Sequence, residues 1–378
     1  NMIGTQVQKT LFDSLQMGDI TLSNRIGMAA LTRQRADPKT GIANDLMAKY
    51  YSERAVEGGF QLTENGAVAN QGNAFPGSAG IWNREQMEGW KKVVDAVHQK
   101  GGKIILQIWH AGRVANPSET GEENIAPSAI PVRSYDKEGN VVLGPTPREM
   151  TLEDVELVKE QFRQAALRAK EAGFDALQLH GANGYLVDQF IRDGTNQRTD
   201  AYGGSIENRV RLCLELTDIL ISIYGKGRVG MKISPVGRYK DMFDSNPIET
   251  FTYLLKKLDE KGIAFVEVAE PSRYEGPMFN ISGKSQIPNA AKVFRGAFKG
   301  VLITNRDHTP ETALEFIKNG WADMVTFGRL FISNPDLVER IKNDWELNMK
   351  WDPSTFFKGG AAGYIDYPMY NPEAKKDQ

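Results

Sequence analysis

Eight short β-rich segments recur along this chain, each followed by a stretch of helical periodicity, and this alternation restricts the fold more than any other feature. The strand candidates are NRIGMAA from Asn24, FQLTENGAV from Phe60, KIILQIW from Lys103, FDALQLH from Phe174, VGMKIS from Val229, AFVEVA from Ala264, VLIT from Val301 and DMVTF from Asp323. Between them run patterns such as REQMEGWKKVVDAVHQKGG and TLEDVELVKEQFRQAALRAKEAGF, apolar at helical spacing and often closed by glycine. Thr151 with Asp154 three residues on reads as a capping box. Strand-then-helix units spaced by roughly 20 to 70 residues predict a (β/α)8 TIM barrel, because no Gly-rich dinucleotide turn follows the first strand as a doubly wound sheet would require. The longest interval, between the third and fourth strands, predicts a hairpin excursion over one barrel end at about 112–150, with YDKEGNVV turning at Gly139 and Asn140. Residues 1–378 are then expected to form one barrel domain.

Composition narrows the partners. With 40% apolar and 25% charged residues, disorder is not expected. Lys and Arg number 46 against 48 Asp and Glu, with no basic cluster interleaved with aromatics, so nucleic acid is not expected. Cys213 is the single cysteine, which excludes an intrachain disulfide, and within VRLCLEL it reads as a small buried helix residue. The opening NMIGTQVQKTLF lacks the layout of a secretory signal, and no apolar run is long enough to span a bilayer. The expected location is cytoplasmic, with no membrane partner.

In a barrel of this kind chemistry sits at the C-terminal ends of the strands. Those ends supply Ala30, Leu31 and Thr32 after the first strand, Asn65 in the second, Gln107 and Trp109 at the third and His180 at the fourth. Lys232 lies in the fifth, Thr304 and Asn305 follow the seventh, and Gly328 and Arg329 follow the eighth. No carboxylate pair stands out among them, which argues against a glycosidase-like hydrolase; Glu64 and Glu267 lie in strands, where each reads equally well as a structural carboxylate. The four histidines show no metal-ligand spacing, so no metal is expected. What remains is a set of amide, hydroxyl and cationic groups suited to a planar heteroaromatic ring. Gln107 offers a donor and an acceptor, Lys232 a positive charge, and TNRD and FGRLF the loops where barrels commonly hold phosphate. A phosphorylated flavin meets all three needs. Singly, each has another reading: Lys232 as an internal ion-pair partner, Gln107 as a satisfied core amide, Gly328 as a tight turn. LQLHGANGYLVDQF adds His180, Asn183 and Tyr185 at one strand exit: two neutral donors able to grip an oxygen of a conjugated substrate, and a phenol able to give a proton.

HGANGYLVDQFIRDGTNQRTDAYGGSIENR closely resembles the Old Yellow Enzyme family, as do MAALTRQRA, LQIWHAGR, FGRLFISNPDLVER and GYIDYPMYN. The likeness runs from about Leu11 to Asn371. It implies FMN held non-covalently, reduction by NADPH or NADH, and reoxidation by an α,β-unsaturated carbonyl compound. By position it implies that His180 and Asn183 bind the substrate oxygen and that Tyr185 donates the proton. Thr32 would meet flavin O4, Gln107 the pyrimidine edge, Lys232 the N1 and O2 side, and Asn305, Gly328 and Arg329 the phosphate; Trp109, Tyr239 and Phe357 would shape the substrate pocket. Departures from the family pattern are Lys232 in place of a frequent arginine, Asn65 where Gly or Ala is common, and Ala30 for a frequent proline. The segment 270–297 matches least, in a region that lines the substrate entrance in the family.

The expected activity is therefore an FMN-dependent NAD(P)H ene-reductase acting on a small-molecule enone, as monomer or homodimer. Two alternatives stand beside it: a prostaglandin endoperoxide or quinone reductase on the same site, and a flavin-binding protein without turnover.

Overall fold

All eight expected strands are present, as β1 (Ile26–Met28), β2 (Phe60–Ala67), β3 (Lys103–Trp109), β4 (Ala176–Gly181), β5 (Val229–Ile233), β6 (Phe265–Ala269), β7 (Val301–Asn305) and β8 (Met324–Phe327). In the computed structural model, which describes residues 10–271 and 289–375, they pair in parallel and in sequence, with β8 returning to β1 to close the barrel. Outside lie α1 (Asp45–Glu53), α2 (Arg84–His98), α3 (Leu152–Ala172), α4 (Arg211–Tyr224), α5 (Pro247–Lys261), α6 (Ala290–Phe294), α7 (Pro310–Lys318) and α8 (Leu337–Lys342). Their starts follow local chemistry. Thr151 and Asp154 form the reciprocal capping box of α3, and Asn44, Asn83 and Asn246 each accept a backbone N–H at the start of α1, α2 and α5.

Strand alternation divides the core in two. Outward side chains such as Val266, Val268 and Leu302 join the helices, including the buried Cys213 of α4, in the larger apolar cluster. Inward side chains at the lower end, among them Phe60, Leu62, Ile105, Phe265, Ile303 and Met324, form a second cluster closed from below by Met17, Ile20 and Leu22. These last belong to an antiparallel hairpin, Leu15–Met17 with Ile20–Leu22, that plugs the barrel floor. Glycine is required where the interior is tightest: a Cβ on Gly230 would fall 2.2 Å from the Phe265 ring. With the floor filled by hydrocarbon, polar inward residues are confined to the upper end.

The expected excursion separates β3 from α3. It carries an antiparallel ribbon, Arg133–Tyr135 with Val141–Leu143, whose turn is organised by Asp136 Oδ1 accepting the N–H groups of Glu138 and Asn140. Ile125–Ala126 pairs with Arg148–Glu149 in a separate two-stranded sheet that brings the two arms of the excursion together. The part of the poorly matching segment at 272–288 lies outside the described residues. Among the described residues no helix is long and apolar enough to cross a membrane, and no group of His, Cys, Asp and Glu is placed to hold a metal.

Candidate active site

At the upper end the inward positions turn polar, and they interlock. Gln107 on β3 donates to Gln178 on β4 at 2.8 Å, and Gln178 donates to Glu267 on β6 at 3.1 Å. The other oxygen of Glu267 accepts the Thr326 hydroxyl of β8 at 2.6 Å, and Thr326 accepts the Asn305 amide of β7 at 2.9 Å. Lys232 on β5 stands 3.6 Å from Glu267. Burial and the nearby Arg306 lower the Lys232 ammonium from its usual value, and Glu267 works against them.

Above this layer two cavities share the walls Ala30, Leu31, Asn183 and Lys232 and so form one trough. The smaller, about 60 Å³, is lined also by Thr32, Glu64, Asn65, Gln107, His180 and Tyr185. A bulge in the β2–β3 register between Leu62 and Asn65 lets the consecutive Glu64 and Asn65 both reach it. The larger, about 290 Å³, runs past Asn305 and Arg306 to Gly328 and Arg329. Backbone strain gathers at this end: Gln34, Asn183, Lys240, Asp241, Arg306 and Asp307, in the loops after β1, β4, β5 and β7, all have positive φ.

The β4 exit fixes the substrate-side groups. Asn183 takes φ of +58° and Gly184 +80°, so the chain turns sharply and Tyr185 starts the short helix Leu186–Ile191. The turn is held by Asp188, which accepts the Gly184 N–H at 3.0 Å and the Arg192 guanidinium at 2.8 Å. His180 Nδ1 accepts the Ala182 N–H at 3.4 Å, and burial first, then Lys232, lowers the imidazole well below its usual value. The ring is therefore neutral near pH 7, with its proton on Nε2. Asn183 Oδ1 accepts from Arg306 at 3.0 Å, which leaves its NH2 as the donor. Burial, with a smaller contribution from Tyr239, raises the Tyr185 phenol, so it keeps its proton. Its ring stands edge-on to Trp109 at 4.3 Å and to His180 at 5.0 Å.

Several expected residues fall elsewhere. Thr304 lines neither cavity: inward positions on β7 are 301, 303 and 305, so Thr304 points outward and bonds Glu270 and His308. Trp109 is fully buried beneath Tyr185 rather than on the wall. Tyr239 and Phe357 are 40% and 57% exposed, and neither lines the described cavities. The cavity brings in residues that strand-end reasoning passed over. Arg306 and Asp307 were visible within TNRD but not separable from it, whereas Met349 and Trp351 arrive from a distant segment with no local signal.

The donors fit FMN. One end of the trough presents the amides of Gln107 and Asn65 and the Thr32 hydroxyl, as a polar ring edge needs; the middle has a buried cation; the other end has Asn305, Arg329 and a glycine whose added Cβ would approach Leu31 at 3.1 Å. Residues 10–348 match the family model described as NADH:flavin oxidoreductase / NADH oxidase. The chain is 38% identical over 385 residues to 12-oxophytodienoate reductase 7 of Oryza sativa subsp. japonica, covering 96% of this chain and 95% of that one. Among solved structures it is similar to morphinone reductase in complex with tetrahydroNAD, with a TM-score of 0.85 and 38% identity over 96% of this chain and 98% of that one. The old yellow enzyme homologue of Zymomonas mobilis gives a TM-score of 0.88 at 36% identity, covering 96% and 100%.

Proposed function

This chain belongs to the NADH:flavin oxidoreductase family of the old yellow enzymes and is an FMN-dependent NAD(P)H oxidoreductase; we propose that it reduces the activated C=C bond of α,β-unsaturated carbonyl compounds. The observation that carries this reading is the convergence of two neutral donors and a protonated phenol, His180, Asn183 and Tyr185, on the cavity that holds the ring-binding amides. FMN, which Thr32, Asn65, Gln107, Lys232, Asn305 and Arg329 would hold, would supply the two-electron hydride chemistry that links the reduced nicotinamide to the β-carbon. His180 Nε2 and the Asn183 amide hold the substrate oxygen and draw charge toward it, which makes that carbon electrophilic. Tyr185 Oη gives the proton to the α-carbon, so that hydride and proton together saturate the bond. The similarity to a 12-oxophytodienoate reductase and to morphinone reductase supports a cyclic enone as the substrate class. Tyr239 and Phe357, although exposed, belong to loops at the same barrel end and are assigned to the outer pocket.

The test is the visible spectrum of the purified protein, followed by anaerobic NADPH and then cyclohexenone. A flavin band that bleaches with NADPH and returns with the enone, together with saturated ketone as product, is the expected result. Tyr185→Phe should leave bleaching nearly unchanged and slow the return by roughly 10²- to 10⁴-fold. Equal slowing of both steps would refute the role given to the phenol, and a reduced flavin whose band returns with a quinone or an endoperoxide but not with the enone would favour the other reductase reading.

A further inference from the structure

Beneath the trough, every link of the polar layer converges on one carboxylate. Glu267 is fully buried, and no apolar residue could replace its three direct contacts: it accepts from Gln178 and Thr326 and faces Lys232, and through these neighbours it reaches Gln107 and Asn305. We propose that Glu267 is a positioning residue of the flavin site, holding the Lys232 ammonium against the trough and setting which way the amides of Gln107 and Asn305 face.

The argument is one of hydrogen-bond polarity. An ionised carboxylate only accepts. Gln178 must therefore turn its NH2 to Glu267 and its carbonyl to Gln107. Gln107 in turn must give an N–H to Gln178, which leaves its carbonyl and second N–H for the trough. On the other side Thr326 spends its proton on Glu267, so its oxygen is free to accept from Asn305, and the Asn305 carbonyl is turned away from that contact. One charge thus fixes the donor pattern at both the ring end and the phosphate end of the site.

The same charge acts directly on Lys232. That ammonium is faced by Glu267 from β6, by Arg306 from the loop after β7 and by His180 from β4, while Glu64 and Tyr185 line the same cavity. Glu267 is the group that offsets burial and Arg306 there. A neutral amide in its place would remove the carboxylate 3.6 Å away that offsets burial and Arg306, so the lysine would give up its proton more readily.

This inference rests on the flavin site proposed above, and its test separates the two. FMN dissociation constants, from flavin fluorescence, and flavin midpoint potentials across pH are measured for wild type, Glu267→Gln and Glu267→Gln with Lys232→Met. Glu267→Gln should bind FMN roughly tenfold more weakly, and its potential should show one break with pH more than wild type and the double variant, in all three of which Glu64 titrates. FMN binding within about twofold of wild type and a superimposable potential curve would overturn the proposal. Thr326→Val leaves the ion pair and cuts only the branch to Asn305. It should weaken FMN but not riboflavin, which lacks the phosphate; equal loss of both would overturn the branch even if Glu267→Gln failed to fold. Wild-type protein that binds no FMN would instead refute the flavin site itself.

Discussion

Glu64 shows what burial does to one residue at this site. It is fully enclosed, and although the Arg33 and Gln34 backbone and the Tyr51 hydroxyl favour the anion, desolvation outweighs them and its carboxyl is pushed up to about 7. The sign of the consequence follows from linkage. The unfolded chain releases this proton near 4.5 and the folded protein only near 7, so the stability contributed is complete at low pH and lost as pH rises through that window. Glu64→Gln mimics the protonated form. At fixed FMN concentration the variant should match wild type below about pH 4.5 and exceed it by roughly 3 kcal/mol above pH 7, as read from urea denaturation. A constant difference between the two proteins at all pH values would refute the assignment. Residue type was legible in the sequence at this scale, but direction was not: His180, Asn183, Tyr185, Gln107 and Lys232 do share a cavity, whereas Thr304, of equal promise in one dimension, faces the helices because of a single step of strand alternation.

Among elements, the turn from β4 into the helix Leu186–Ile191 depends most on one interaction. Asp188 and Arg192, with side chains 0% and 2% exposed, form an ion pair in which Arg192 also donates to the carbonyls of Ser234 and Gly237 after β5. Asp188 further holds the Gly184 N–H that positions Tyr185. Removing one partner of a buried pair leaves the other charge without compensation, which costs more than the pair itself contributes. Asp188→Ala should therefore lower stability by about 3–5 kcal/mol in urea denaturation. A loss below about 1 kcal/mol would mean that water or a rearranged Arg192 replaces the carboxylate. The elements themselves were legible because their signals are local: alternation for strands, Thr151 and Asp154 for the start of α3, Asp136 to Asn140 for the ribbon turn. The Asp188–Arg192 pair also lies within one sequence motif, yet only the fold shows that it fastens two barrel loops together.

The contacts least visible in the sequence join its ends. Arg33 and Arg35, which directly follow the flavin-side residues Ala30 to Thr32, reach across more than 300 residues: Arg33 donates to Gly363 at 2.8 Å and Phe356 at 3.0 Å, and Arg35 to Phe356 at 3.1 Å and Ala362 at 3.3 Å. Tyr364 is fully buried, stacked on Tyr50 at 4.0 Å with the Arg35 guanidinium 4.7 Å from its ring. GYIDYPMYN is thus a clasp on the loop that forms one wall of the trough. Nothing in residue spacing foretells this, because both partners are irregular segments without periodicity. If the clasp holds the wall in its binding conformation, then losing it must weaken both the fold and the cofactor. Tyr364→Ala should cost about 3–5 kcal/mol in stability from the lost packing. FMN at one hundred times the wild-type dissociation constant adds about 2.7 kcal/mol to wild type by mass action, and the variant should gain clearly less at the same concentration because its own dissociation constant is larger. An equal gain would show that the wall keeps its shape without the clasp, and that GYIDYPMYN serves stability alone.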